Sequence, residues 1–225
     1  MIRLSRSAGV VAATLLAFGL PPAAAQAAPR TVESTVDKLF PYLDAYLTLP
    51  AVERTGFVLS YRLLEHDSHK PAAPRVILVR GGEQVLLPVA PDGRFLIQPA
   101  LADIKARLKV ILEKPDEAKL TESLDILSTQ PLRGDYAATD FNVGLTQANA
   151  AVRKAAGVFS LAAPRFSRVV FVGAGAGEMI DASGRSQPLP ASRTGPAFDP
   201  KALATARSIR LSRPPERIEF APAGD

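Results

Sequence analysis

Short apolar runs, each closed by a glycine or proline turn, recur from residue 57 to residue 220 and constrain the fold more than any other feature. Runs at 57–64, 75–79, 84–89, 94–97, 108–112 and 124–127 are too short for ordinary helices and rich in Val, Ile, Leu and Phe. Between them stand Gly81-Gly82, a two-residue hairpin signal, and Pro91-Asp92-Gly93, a turn signal. In the second half, strands are expected at 158–161, 168–172, 178–180, 208–211 and 217–220. Helices are expected at 32–48, 100–106 and 142–156. In the first of these, Leu39, Leu43, Tyr46 and Leu47 fall at helical spacing, with a kink or restart at Pro41. Strands joined by short turns, with few helices between them, imply an α+β fold with a largely antiparallel sheet and helices on one face.

The runs recur in order. Residues 50–56 (Pro-Ala-Val-Glu-Arg-Thr-Gly) resemble 150–157, and each stretch precedes an apolar run, at 57–60 and 158–161. Residues 75–79 match 168–172, and Asp92-Gly93-Arg94 matches Ser183-Gly184-Arg185. Ala106-Arg107 opens a strand-like stretch ending in Lys114-Pro115, as Ala206-Arg207 opens one ending in Arg213-Pro214. Each match alone is weak, because Ala, Val, Arg and Gly are abundant; their common order is the stronger signal. The expectation is two tandem related units of about 100 residues, at 28–130 and 131–225, which could be fused into one domain.

The N-terminus reads as an export signal. Arg3 and Arg6 precede an uncharged apolar run at 8–20, which Pro21-Pro22 ends. The small residues of 23–28 then allow cleavage after Ala25 or Ala27. The run is too short for a membrane span of about 20 residues. Residues 1–27 are therefore expected to be removed, leaving a periplasmic or secreted protein that does not span a membrane. The chain has no cysteine, so the exported protein must fold without disulfides. Once Arg3 and Arg6 leave, the charges are unevenly divided. Residues 28–130 carry 13 basic and 14 acidic groups, whereas 131–225 carry 12 basic and 8 acidic.

No complete catalytic motif is present. Gly173-Ala174-Gly175-Ala176-Gly177 follows a strand, but the third glycine of a dinucleotide fingerprint would fall on Glu178, and no helix follows. It reads as a hairpin loop equivalent to 80–83, and no cofactor is expected. His66 and His69 share one polar loop and are weak metal candidates, because no other His and no Cys could complete a site. Asp135 with Asp140, and Asp37 with Asp44, are the carboxylate pairs a hydrolase would need. Arg207, Arg210, Arg213 and Arg217 could hold an anion, but Pro214-Pro215 prevents them from sharing a helical face. A strand would split them between two faces and serve as a charged edge. Nucleic acid is not expected as a partner, for want of an aromatic-interleaved basic platform.

The leading expectation is a non-enzymatic binding or envelope-associated protein. Its partner would be a protein, an envelope component or a small molecule, held between the two halves. The alternative is an envelope hydrolase using carboxylates in a surface cleft.

Overall fold

The computed structural model describes residues 30–114, 118–157 and 163–223. The expected export segment and the expected strand at 158–161 lie outside the described residues. Up to residue 130, taken as the first stretch of the chain with 131–223 as the second, come β1 (Arg30–Thr35), α1 (Val36–Leu39), α2 (Leu43–Thr48), β2 (Phe57–Glu65) and β3 (Arg75–Arg80). The first stretch continues with β4 (Glu83–Leu87), α3 (Leu101–Lys105), β5 (Lys109–Lys114) and β6 (Leu120–Ser128). The second contains β7 (Asp135–Ala137), α4 (Asn142–Ala156), β8 (Phe166–Val172), β9 (Gly177–Asp181) and β10 (Ser186–Pro188). It closes with β11 (Ala197–Phe198), β12 (Ala206–Leu211) and β13 (Arg217–Pro222). The fold is α+β, and every strand pairing described is antiparallel.

Local chemistry explains the sharpest boundaries. Gly81 and Gly82 both take positive φ, at 58° and 91°, which a two-residue hairpin with the native strand twist demands. The β3–β4 hairpin follows directly from that pair. Pro41 breaks the first helix, and Tyr42 beyond it sits at φ 65° before α2 starts. The Tyr61 hydroxyl donates to the Pro41 carbonyl at 2.7 Å, which ties the break to β2. Burial pushes the Tyr61 phenol well above its usual range, so the hydroxyl remains a donor.

Residues 32–35 depart from the helix expected at 32–48. They belong to β1, which pairs with β5 along its whole length from Arg30–Lys114 to Thr35–Lys109. Thr31, Val32 and Thr35 are β-branched, and the helical spacing of apolar residues begins only at Val36. Non-local pairing therefore decides the state of this segment. The expected strand at 94–97 is reduced to single bridges, Arg62–Arg94 and Val89–Phe95.

Three sheets result. The first has the order β1-β5-β3-β4, the second β7-β12-β9-β10 and the third β2-β6-β13-β8-β11. In both four-stranded sheets an opening strand, β1 or β7, lies at one edge beside a late strand, β5 or β12, and a hairpin, β3–β4 or β9–β10, fills the other side; β5 is the fifth strand of its stretch and β12 the sixth. The third sheet joins the stretches, with β2 and β6 meeting β13 and β8 across its centre. The expected match of 75–79 with 168–172 falls on β3 of the first sheet and β8 of the third.

A single main cluster of buried apolar side chains draws on both stretches, from Val36 to Phe220. Each stretch adds an aromatic group to it. Phe40 packs edge-on to Tyr61 at 5.1 Å and tilted against Phe95 at 4.7 Å. Tyr136, Phe141 and Phe171 are mutually 5.2–5.5 Å apart.

The one buried charged residue among those described is Asp103, 5% exposed. It accepts from Arg80 Nε at 2.9 Å and Nη2 at 2.6 Å, and from the Ala100 amide at 3.0 Å, so it both caps α3 and fastens it to β3. The Arg80 hydrogen bonds outweigh burial and, with the Ala100 amide and the Arg80 charge, hold its pKa below the usual value. A depressed carboxylate pKa adds stability that is fully present above about pH 4 and is lost as pH falls through the folded value. Asp103→Asn should therefore cost about 1–2 kcal/mol at neutral pH. Urea unfolding at pH 7 and pH 2.5 should show the difference from wild type shrinking at the lower pH.

Candidate functional site at the seam of the third sheet

Glycine brings the two stretches close beside this sheet. Gly56, just before β2, meets Gly144 of α4 so closely that a Cβ on Gly56 would lie 2.6 Å from the Gly144 Cα. Gln147, one turn along α4, clamps the same loop. Its Oε1 accepts the Gly56 amide at 2.7 Å, and its Nε2 donates to the Val52 carbonyl at 2.8 Å. This fixes α4 against the start of β2.

In the third sheet, β2 alternates. Phe57, Leu59, Tyr61 and Leu63 are buried, while Val58 is exposed and Ser60 and Arg62 half-buried on the opposite face. β6 pairs with β2 from Leu120–Glu65 to Ser128–Phe57. Its ladder with β13, by contrast, holds only Leu127–Glu219 and Ile126–Phe220. Beyond those pairs Leu124, Asp125, Ala221 and Pro222 border a cleft of about 1360 Å³. Tyr46, Leu49 and Phe57 give it an apolar wall from the first stretch, and Val152, Phe166 and Phe220 one from the second.

Four of the charged groups that line the cleft form two pairs, while Asp44, Lys154 and Arg193 stand elsewhere on its lining. Arg62 binds Asp125 with both arms of its guanidinium, Nε to Oδ2 at 2.6 Å and Nη2 to Oδ1 at 3.1 Å. The two lie diagonally across neighbouring strands, since Ser123 stands opposite Arg62 and Ser60 opposite Asp125. Arg217 donates to Glu219 at 2.6 Å, two residues along β13 on the same face. All four side chains are 15–20% exposed. At the margin, Arg94 donates to Asp92 at 2.8 Å. Burial opposes the Arg62 charge, but the Asp125 hydrogen bond and the charges of Asp125, Glu219 and Asp92 more than compensate and raise its pKa. Burial likewise works against Asp92, but the Arg94 amide and side chain and the Arg217 charge hold its pKa low. Arginines and carboxylates here stabilise one another as a network.

The four arginines singled out from the sequence do not share a partner. Arg207 is exposed. Arg210 reaches Asp135 at 3.4 Å and Glu178 at 3.5 Å on the second sheet. Arg213 donates to the Gly173 carbonyl at 2.5 Å. Only Arg217 enters the cleft. His66 is exposed, and His69, at φ 53°, borders the cleft. Among the described residues, no group of three or more His, Asp or Glu is arranged to hold a metal ion. Asp135 pairs with Arg210, Asp140 with Arg133 at 2.7 Å, and Asp37 with Arg107 at 3.0 Å; Asp44 borders the cleft.

The glycine-rich segment is not a hairpin loop. β8 and β9 belong to different sheets, so residues 173–176 carry the chain from one sheet to another. Gly173 and Gly175, at φ 75° and 76°, make the turn, and Ser212 Oγ binds it through the Ala174 carbonyl and the Ala176 amide. Sequence reasoning did not single out Arg62, Asp125 or Gln147. Their partners lie 63 and about 90 residues away, and no local pattern marks them.

No described helix is long and apolar enough to cross a membrane. No family model, curated protein or solved structure matches this chain.

Proposed function

We propose that this chain is an exported, non-enzymatic binding protein whose ligand sits in the seam cleft between two related halves. The observation that carries the reading is the cleft's composition. Both stretches wall a single cavity of about 1360 Å³ with apolar side chains, and four of its charged groups neutralise one another as Arg62–Asp125 and Arg217–Glu219, which leaves Arg193, Lys154 and Asp44 as polar points on its lining. Such a cavity favours an apolar or amphipathic body over a charged one, because burying an uncompensated charge is costly. The shared strand order of the flanking sheets supports descent of the halves from one duplicated unit. Export rests on the N-terminal pattern of Arg3, Arg6, the apolar run at 8–20 and the small residues of 23–28.

The hydrolase alternative is less well supported. Carboxylate catalysis needs an acid free to carry and release a proton. Asp125 and Glu219 are each occupied by a guanidinium, and Asp44, the third acid on the lining, lacks its expected partner because Asp37 pairs with Arg107.

The test uses N-phenyl-1-naphthylamine, an uncharged apolar fluorophore. Wild type should bind one equivalent with enhanced emission. Ala155 is exposed and faces the cleft. Ala155→Trp should project an indole into the cavity and weaken binding by about tenfold or more, with an unchanged melting temperature. Equal binding by the two proteins would reject the cleft as the site.

A further inference from the structure

A second, smaller concavity of about 320 Å³ lies between α4, the start of β8 and the turn at Pro200-Lys201, and shares only Phe166 with the seam cleft. Arg153, Arg165 and Lys201 border it from three separate segments, and no Asp or Glu does. We infer that this groove is a binding site for a multiply charged oxyanion of the phosphate or phosphate-ester class, independent of the seam cleft.

The cationic surplus of 131–225 is the first argument. Most basic groups there are engaged. Arg133, Lys154, Arg185, Arg210 and Arg217 meet carboxylates, Arg213 meets a backbone carbonyl, and Arg168 also has a partner. Among the described residues of this stretch, Arg153, Arg165, Arg193, Lys201 and Arg207 are left without a side-chain partner, and three of these five converge on one groove. Three cations gathered without a counter-charge repel one another, and a multivalent anion relieves that repulsion. Asp199, the acid nearest in sequence to Lys201, does not neutralise them. Its Oδ1 accepts the amides of Lys201 and Ala202, at 2.8 Å and 3.2 Å.

The second argument is that the walls are fixed in place. Asn149 holds the start of β8 against α4 in both directions. Its Oδ1 accepts the Phe166 amide at 2.9 Å, and its Nδ2 donates to the Phe166 carbonyl at 2.8 Å. Arg165 and Ser167 are therefore held on either side of an anchored residue. The Ser167 hydroxyl is buried, borders the groove and has no hydrogen-bond partner. A phosphate oxygen would accept its proton, and two guanidinium forks match phosphate geometry. Asn142, Thr146 and Arg153 recur on one face of α4 and complete the polar lining.

Inorganic pyrophosphate, added at low ionic strength to the 15N-labelled protein, is the probe. Amide shifts should concentrate at 142–153, 165–167 and 200–202, and binding should weaken steeply with salt. Arg153→Gln/Arg165→Gln should weaken binding by about tenfold or more, while Arg207→Gln, which removes an exposed cation elsewhere, should leave it unchanged. Absence of shifts at the groove, or equal weakening by Arg207→Gln, would overturn the site. Cosedimentation with phosphatidic acid vesicles separates two sources of the same chemistry. Sedimentation of wild type that the double variant loses assigns the phosphate to a lipid headgroup. Pyrophosphate binding without sedimentation assigns it to a soluble ester.

Discussion

Gly144→Ala should destabilise the protein by about 2–3 kcal/mol, although alanine is the better helix former. The helix term favours the variant by about 1 kcal/mol. The packing term opposes it and is larger. An added Cβ would strike the Gly56 carbonyl oxygen and come within 2.6 Å of the Phe220 ring. The ring can yield a little, but the carbonyl belongs to backbone held by Gln147 at 2.7 Å. Relief therefore requires α4 to lift from the loop before β2, which strains that hydrogen bond and loosens Phe220 in its pairing with Ile126. In a chain of this size the loss corresponds to a melting temperature lower by about 4–12 °C. Calorimetry of the purified variant measures it directly, and a higher melting temperature would show that α4 and the β2 loop are not in this close approach.

The second large effect concerns the charges in the cleft. Arg62→Leu should cost about 2–3 kcal/mol, somewhat below the 3–5 typical of fully buried pairs, because both side chains keep some exposure to water. The loss comes mainly from stranding Asp125, whose two oxygens both face Arg62. Arg62→Leu/Asp125→Leu should recover most of it, to within about 1 kcal/mol of wild type, since two apolar residues of suitable size replace a pair costly to desolvate. Arg62→Lys should fall between, keeping the charge but losing the two-armed geometry. Urea denaturation of wild type, Arg62→Leu, Asp125→Leu and the double variant gives the coupling energy. Additive losses in the double variant would mean that Arg62 and Asp125 do not act as a pair.

How legible a segment was depended on where its determinants lie. The β3–β4 hairpin was readable because Gly81 and Gly82 alone demand it. The helix at Asn142–Ala156 was readable from its own composition. β1 was not, because only pairing with β5, some 75 residues later, makes Arg30–Thr35 extended. β7, β10 and β11 are two or three residues long and borrow their conformation from neighbouring strands. The expected recurrence paired 75–79 with 168–172, but these runs are β3 and β8 and lie in different sheets. The sequence already split the arginine series between the faces of a strand; what it does not announce is the sheet change between Arg213 and Arg217. Arg153, Arg165 and Lys201 show the converse, since nothing in their spacing announces that one groove collects them.

The seam cleft is tested most directly by mapping N-phenyl-1-naphthylamine onto the 15N-labelled protein by two-dimensional NMR. The proposed function predicts amide shifts at 42–49, 57–64, 123–126, 151–156 and 217–222, drawn from both halves at once and absent in Ala155→Trp. Shifts confined to one half, or located on the outer edges β4 and β10, would contradict it.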